Sequence, residues 1–343
     1  MPTFAPSHFT RPPRQILLVS VFLAAACSAG DAPSGEEVPG TSPNWGDGRA
    51  AWEKAIGCEQ RLTAPARTVV ERPCGTALAV LTDGAYTVRL HRSARRFAEG
   101  SAAAAVSTSD WVRPLPVRFA GVVNAAIRDW LLAAADDDTP DLLAMAMQYT
   151  EGAPPQQDAS GRQIAGDADY GPLSPTGTGD RVEGADFYDY MGVPWTFPDG
   201  IREKPLATQL HALDCSGYVR MLWGLRAGLP LASKTAAVSA AALPRRAVQM
   251  EAGPFGVSID IATSQDPSAG LQTGDLVFFD ADPADGPAVD HVGMYLGRDE
   301  KGSRRFISSR KGATGPTLGD VRGASILDGP GLYAKALRSA RRL

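Results

Sequence analysis

The chain has 343 residues, with 34 Lys and Arg against 38 Asp and Glu, for a formal net charge of -4. That length buries a core without disulfide staples and is comfortable for two domains. Both signs of charge are mixed along the sequence, so there is no uniform field to collect nucleic acid, and none is expected as a partner. The four histidines, at 8, 91, 211 and 291, are scattered and form no metal-ligand spacing with the cysteines. No metal and no other cofactor is expected.

The first segment reads as processing sequence. Arg11 and Arg14 precede the apolar run Ile16 to Ala26 (ILLVSVFLAAA), too short for an ordinary bilayer span and suited to a signal-peptide core, which places a signal peptide at 1–26. The run ends Ala24-Ala25-Ala26-Cys27 ahead of polar residues. This resembles a bacterial lipobox with Cys27 as the lipidated residue, although Ala24-x-Ala26 also satisfies ordinary signal peptidase, which would release a soluble protein. The expected location is extracytoplasmic, in the cell envelope, held to the membrane through a lipid on Cys27 or else secreted. Residues 27–44 then hold the lipidated Cys and a flexible spacer rich in Gly, Pro, Ser and acid.

Residues 45–150 read as a small, β-rich α+β domain. Thr76 to Leu81 and Ala85 to Leu90 flank Asp83-Gly84, the sequence of a tight hairpin turn. His91 falls on the same strand face as Thr87 and Arg89, a solvated position. Two helices are expected to close the unit, one over Val122 to Ala135 and one started by Thr139-Pro140-Asp141. An exported chain permits Cys58 and Cys74 to pair, which leaves Cys215 as a lone thiol that needs an explanation. Residues 151–185, rich in Pro, Gly, Asp and Ser, read as a linker.

In residues 186–343 the pattern carries chemistry. Asp214 is a natural N-cap for a helix beginning at Cys215, with Val219, Leu222 and Trp223 as its apolar stripe and Gly228 and Pro230 as its stop. A thiol in a first helical turn is expected to have its pKa lowered by the dipole, and the same N–H groups suit an oxyanion. Gly274-Asp275 leads into a strand at Leu276 to Asp280, and His291 opens another, His291 to Leu296. Pairing through residues 297–304 sets His291 opposite Ser308, Ser309 or Arg310. A Cys and His pair is what an amide hydrolase without metal needs.

Four motifs in order, Asp214-Cys215-Ser216-Gly217-Tyr218-Val219, Leu243-Pro244-Arg245, Gly274 to Phe279 and His291-Val292-Gly293-Met294-Tyr295-Leu296-Gly297, resemble those of the NlpC family of papain-like cell-wall cysteine peptidases. The resemblance implies a Cys-bearing helix packed on an antiparallel sheet, with Cys215 as nucleophile and His291 as base. It also implies hydrolysis of peptidoglycan stem peptides after D-glutamate. The family's third residue is usually His, Asn or Gln, whereas here Ser308 takes its place, where its hydroxyl would accept from Nδ1–H of His291. The family's Y-x-W-G-G element is also replaced upstream by DFYDYMGVPWTFPDG and an added stretch. Tyr188, Tyr190 and Trp195 are candidates to line the substrate site, Ser216 is a further candidate contact, and Arg245 is a candidate for a substrate carboxylate. The basic runs Arg304-Arg305, Arg310-Lys311 and Arg338 to Arg342 read as a solvated face. Two other readings remain at this point: an amidase or acyltransferase on the same fold, and a catalytically weak wall-binding lipoprotein.

Overall fold

A computed structural model of the chain describes residues 58–343 except 64, 72–76, 100–103, 177–179, 262–269, 283 and 285. The expected signal peptide, Cys27, the spacer and Cys74 all lie outside the described residues. Among those described, no helix is long and apolar enough to cross a membrane.

Five strands, β1 (Cys58–Thr63), β2 (Ala66–Glu71), β3 (Ala77–Thr82), β4 (Thr87–Ala98) and β5 (Ala105–Pro114), form an antiparallel meander in chain order. Asp83-Gly84 makes the β3–β4 turn, with Gly84 at φ +83°, where a side chain would be strained. Alternation along the strands turns Leu81, Val88, Leu90 and Trp111 toward one core. That core is closed by helix α1 (Ala125–Asp136) through Ile127, Leu131 and Ala135. His91 is exposed, as its face requires. Helix α2 (Leu142–Met147) starts later than the sequence implied: Asp141, not Thr139, is its cap, accepting from Ala144 N at 3.0 Å. The same carboxylate accepts from Val112 N at 2.7 Å and pairs with Arg95, so tertiary partners fix which residue caps.

The stretch expected as a linker is folded. It contains β6 (Gln156–Gln157) and β7 (Gln163–Ala165), and its backbone is bonded on both sides of the later site: Asp169 O accepts from Leu213 N at 2.7 Å, and Tyr170 N donates to Thr314 O at 2.8 Å. Few apolar side chains are needed where main-chain hydrogen bonds hold the segment. Helix α3 (Phe187–Tyr190) and the small pair β8 (Trp195–Thr196) and β9 (Arg202–Glu203) follow.

Helix α4 (Cys215–Val219) continues as a π-helical stretch over Arg220–Arg226, followed by α5 (Ala247–Ala252). The second sheet comprises β10 (Val257–Ile259), β11 (Leu276–Phe279), β12 (His291–Arg298), β13 (Arg304–Arg310), β14 (Gly315–Thr317) and β15 (Leu337–Arg342), with α6 (Leu332–Ala336) before the last strand. Its order is β10-β15-β11-β12-β13-β14, antiparallel throughout. Both faces are covered. Leu276, Phe278, Val292, Met294 and Ile307 meet Val219, Leu222 and Trp223, while Val277, Phe279, Tyr295 and Phe306 meet Tyr333 and Ala336. This is the α+β arrangement the motifs imply, a Cys-bearing helix on an antiparallel sheet preceded by a β-rich region.

The two sheets belong to one compact unit. Glu99, after β4, accepts from Thr317 Oγ1 at 2.7 Å, and Arg342 reaches Thr82 Oγ1 at 2.7 Å. Tyr218, one turn beyond Cys215, donates to Ala146 O of α2 at 2.8 Å.

Candidate active site

Asp214 builds the start of α4. Its Oδ1 accepts from Gly217 N at 2.7 Å and its Oδ2 from Gly184 N at 3.0 Å. Arg245 grips the same carboxylate, Nη2 to Oδ2 at 2.7 Å and Nη1 to Oδ1 at 3.2 Å, and donates to Ser216 Oγ at 2.6 Å. Although burial opposes ionisation, the Arg245 guanidinium and these N–H donors hold the Asp214 carboxyl below its usual range. Arg245 also lies 3.4 Å from Asp186, which pairs with the buried Arg220 at 3.0 Å. Arg245, the candidate contact for a substrate carboxylate, is therefore also a buried clamp on the helix cap. Gly217 is required by space, since a Cβ there would sit 2.1 Å from Ala185 O.

Cys215 is the free cysteine among the described residues and is 7% exposed. Its Sγ lies 4.0 Å from Asp290 O and accepts from the Val292 N–H, which seats the thiol at the entrance of β12 beside His291. Burial pushes the thiol up, and the Asp214 and Glu183 carboxylates add to that, against the Val292 N–H and Arg245. The expected lowering by the helix start is thus outweighed by the loss of water and by two negative neighbours, Asp214 adjoining Cys215 in the sequence and Glu183 distant from it.

His291 stands on the strand face of Tyr295 and packs on Phe279 and Tyr333, with ring centres 5.8 and 5.6 Å away. Its Nε2 is 3.0 Å from Ser308 Oγ. The nitrogen bonded to Ser308 is therefore Nε2 rather than the expected Nδ1, which leaves Nδ1 for a reacting proton. Register explains the contact: Met294 pairs with Ile307, so Ser308 comes opposite Gly293, two residues from His291. A Cβ on Gly293 would lie 2.8 Å from Ile307 O and 3.1 Å from Ser308 Cβ, so its absence lets the imidazole lean across to the hydroxyl. Ser309 points the other way and donates to Leu213 O at 2.5 Å. Burial, then the Arg310 and Lys311 charges, push His291 down to about 3. Both shifts favour the uncharged forms, thiol and imidazole, at rest.

Cys215, Ser216, Arg245 and His291 line one cavity of about 910 Å³. Tyr188 also lines it. Tyr190 and Trp195 do not. Tyr190 is fully buried, bonded to Gly166 O at 2.9 Å, and Trp195 packs edge-on to Phe187 with ring centres 5.0 Å apart. Both pack in the main hydrophobic core, away from the cavity. The lining also includes Tyr170, Glu183, Lys311 and Arg310, of which the sequence named only Arg310, as one of three residues opposite His291. Tyr170 donates to Glu183 at 3.0 Å, and Glu183 pairs with Lys311 at 2.7 Å. An aromatic residue alone in a polar stretch was the one available signal for Tyr170. Among the described residues, no group of three His, Cys, Asp or Glu is placed to hold a metal ion.

Residues 197–314 match the model of the NlpC/P60 family, which bears out the resemblance carried by the four motifs and supports a function of the cell-wall peptidase type. Among solved structures, a Staphylococcus aureus subsp. aureus Mu50 protein described as similar to lipoprotein, NLP/P60 family, aligns at 24% identity with a TM-score of 0.25. The alignment covers 45% of this chain and 38% of that one, so the chain spans well under half of its length. No curated protein matches.

Proposed function

We propose that this chain, whose residues 197–314 match the NlpC/P60 family, is an exported cysteine peptidase that cuts peptidoglycan stem peptides after D-glutamate. The observation that carries the reading is the shared cavity, into which a capped helix start delivers Cys215 and a strand start delivers His291 with Ser308 behind it. Ser308 accepts from Nε2–H, which leaves the Nδ1 lone pair as the base. As Sγ attacks the amide carbonyl, the thiol proton passes to Nδ1, so charge separates only during reaction. Gly217 N and Tyr218 N are bonded to Asp214, and the N–H groups of Cys215 and Ser216 are left to meet the oxyanion. The imidazolium then protonates the departing amine. Water, activated by the same Nδ1, releases the acyl group from sulfur.

The N-terminal sequence supports export, with anchoring through Cys27, and the family match accords with an envelope location. A second reading, a wall-binding lipoprotein with little turnover, is favoured by the uncharged Ser308 and the raised thiol. Digestion of purified peptidoglycan followed by mass spectrometry of the products separates the two. New amino termini beyond D-glutamate support the first reading, and intact stem peptides would leave only the second.

A further inference from the structure

The sequence reads Arg310-Lys311 as part of a solvated face, yet Arg310 is 3% exposed and lies on the wall of the same cavity as His291. Counting from the Met294–Ile307 pair, Ser308 and Arg310 share the strand face on which His291 stands. The guanidinium is held firmly. Nη1 donates to Gly323 O at 2.6 Å, Nη2 donates to Gly319 O at 3.1 Å and Ser325 Oγ at 3.0 Å, and the group stacks 5.2 Å from the centre of the Tyr333 ring.

None of those partners carries a full negative charge. The other buried arginines of this half each face a carboxylate: Arg220 on Asp186, Arg245 on Asp214, Arg305 on Asp299 and Arg342 on Asp275. Arg310 has no ion-pair partner among the described residues, and its Nε is buried without any hydrogen-bond partner. A buried cation left without a counter-charge is costly unless an anion comes to it, and a guanidinium is suited to a carboxylate. Arg322 adds the same sign to this wall. The connections on either side of β14 each hold a non-glycine residue in the left-handed region, Thr314 at φ +68° before it and Arg322 at φ +51° after it, a strain that concentrates at ligand sites.

We propose that Arg310, assisted by Arg322, recognises a carboxylate that the substrate carries close to the scissile amide. The assignment of that carboxylate to a peptide rests on the peptidase reading above, whereas the anion-selecting wall does not. A peptide whose corresponding carboxyl is amidated then becomes a poor substrate.

The wall is tested without substrate by alkylating Cys215 in the full chain with iodoacetate and with iodoacetamide, each rate divided by that for free cysteine. Wild type is expected to prefer the anionic reagent several-fold. Arg310→Gln should bring the preference close to one, Arg310→Lys should keep most of it, and Arg322→Gln should lower it in part. A wild-type preference of one overturns the proposal whether or not any variant folds, as does a preference unchanged in both Arg310→Gln and Arg322→Gln. Peptide cleavage then separates the two claims. Failure to cut any stem peptide, with the alkylation preference intact, sinks the peptidase reading alone. Equal cleavage of free and amidated peptides sinks the carboxylate assignment alone.

Discussion

Burying His291 as a neutral imidazole ties stability to pH in a direction that can be worked out. The ring falls from its ordinary 6.5 to about 3 in the folded chain, chiefly through burial, with Arg310 and Lys311 adding to it. Between those values the unfolded chain binds a proton that the folded chain refuses, so stability is fully present above about pH 6.5 and is lost as pH falls toward 3. At pH 5 the deficit is about 1.5 pH units, or about 2 kcal/mol at 1.36 kcal/mol per unit. His291→Gln, which cannot titrate, should lack this component. Urea unfolding of both proteins at pH 8 and pH 5 measures it: wild type should lose about 2 kcal/mol more than the variant over that interval. Equal losses would refute the claim that the imidazole is buried and neutral.

Ser308→Ala removes the hydrogen-bond partner of Nε2 and should lower kcat about tenfold to a hundredfold in peptide hydrolysis, whereas an unchanged rate would move the orienting role elsewhere. Arg245→Ala strands the buried Asp214 carboxylate, while Asp186 keeps Arg220, and should destabilise the chain by about 3–5 kcal/mol in urea unfolding, with Arg245→Lys rescuing little because the grip on Asp214 is bidentate. Gly293→Ala should cost about 1–3 kcal/mol by forcing a Cβ between β12 and β13. In the exported protein, peptide mapping should find Cys58 bonded to Cys74 and Cys215 free. A bond to Cys215 would end its role as nucleophile.

What the sequence made legible was local. The Asp214 cap, the apolar stripe after Cys215 and the strand runs at Leu276 and His291 each declare themselves within a few residues, and together they place the Cys215 helix and the sheet it packs on. The hairpin at Asp83-Gly84 is legible for the same reason. Tyr170 and Glu183 were hidden because their segment is held by main-chain hydrogen bonds, which leave no hydrophobic period. That Arg245 clamps the helix cap was hidden because its partners, Asp214 and Asp186, are distant in sequence. Arg310 looked like surface in a run of charges, although strand pairing from the sequence already named it among the residues opposite His291. The direction of the Cys215 shift depends on burial, on Asp214 and on Glu183, and of these only Asp214 is visible beside Cys215 in the sequence.

The central claim, that Cys215 is the nucleophile, is tested most directly by quenching the protein in acid during turnover of a stem peptide and mapping the adducts by mass spectrometry. An acyl group is expected on the peptide that contains Cys215, with no adduct elsewhere, and neither adduct nor hydrolysis with Cys215→Ala. Hydrolysis by Cys215→Ala at the wild-type rate would contradict it.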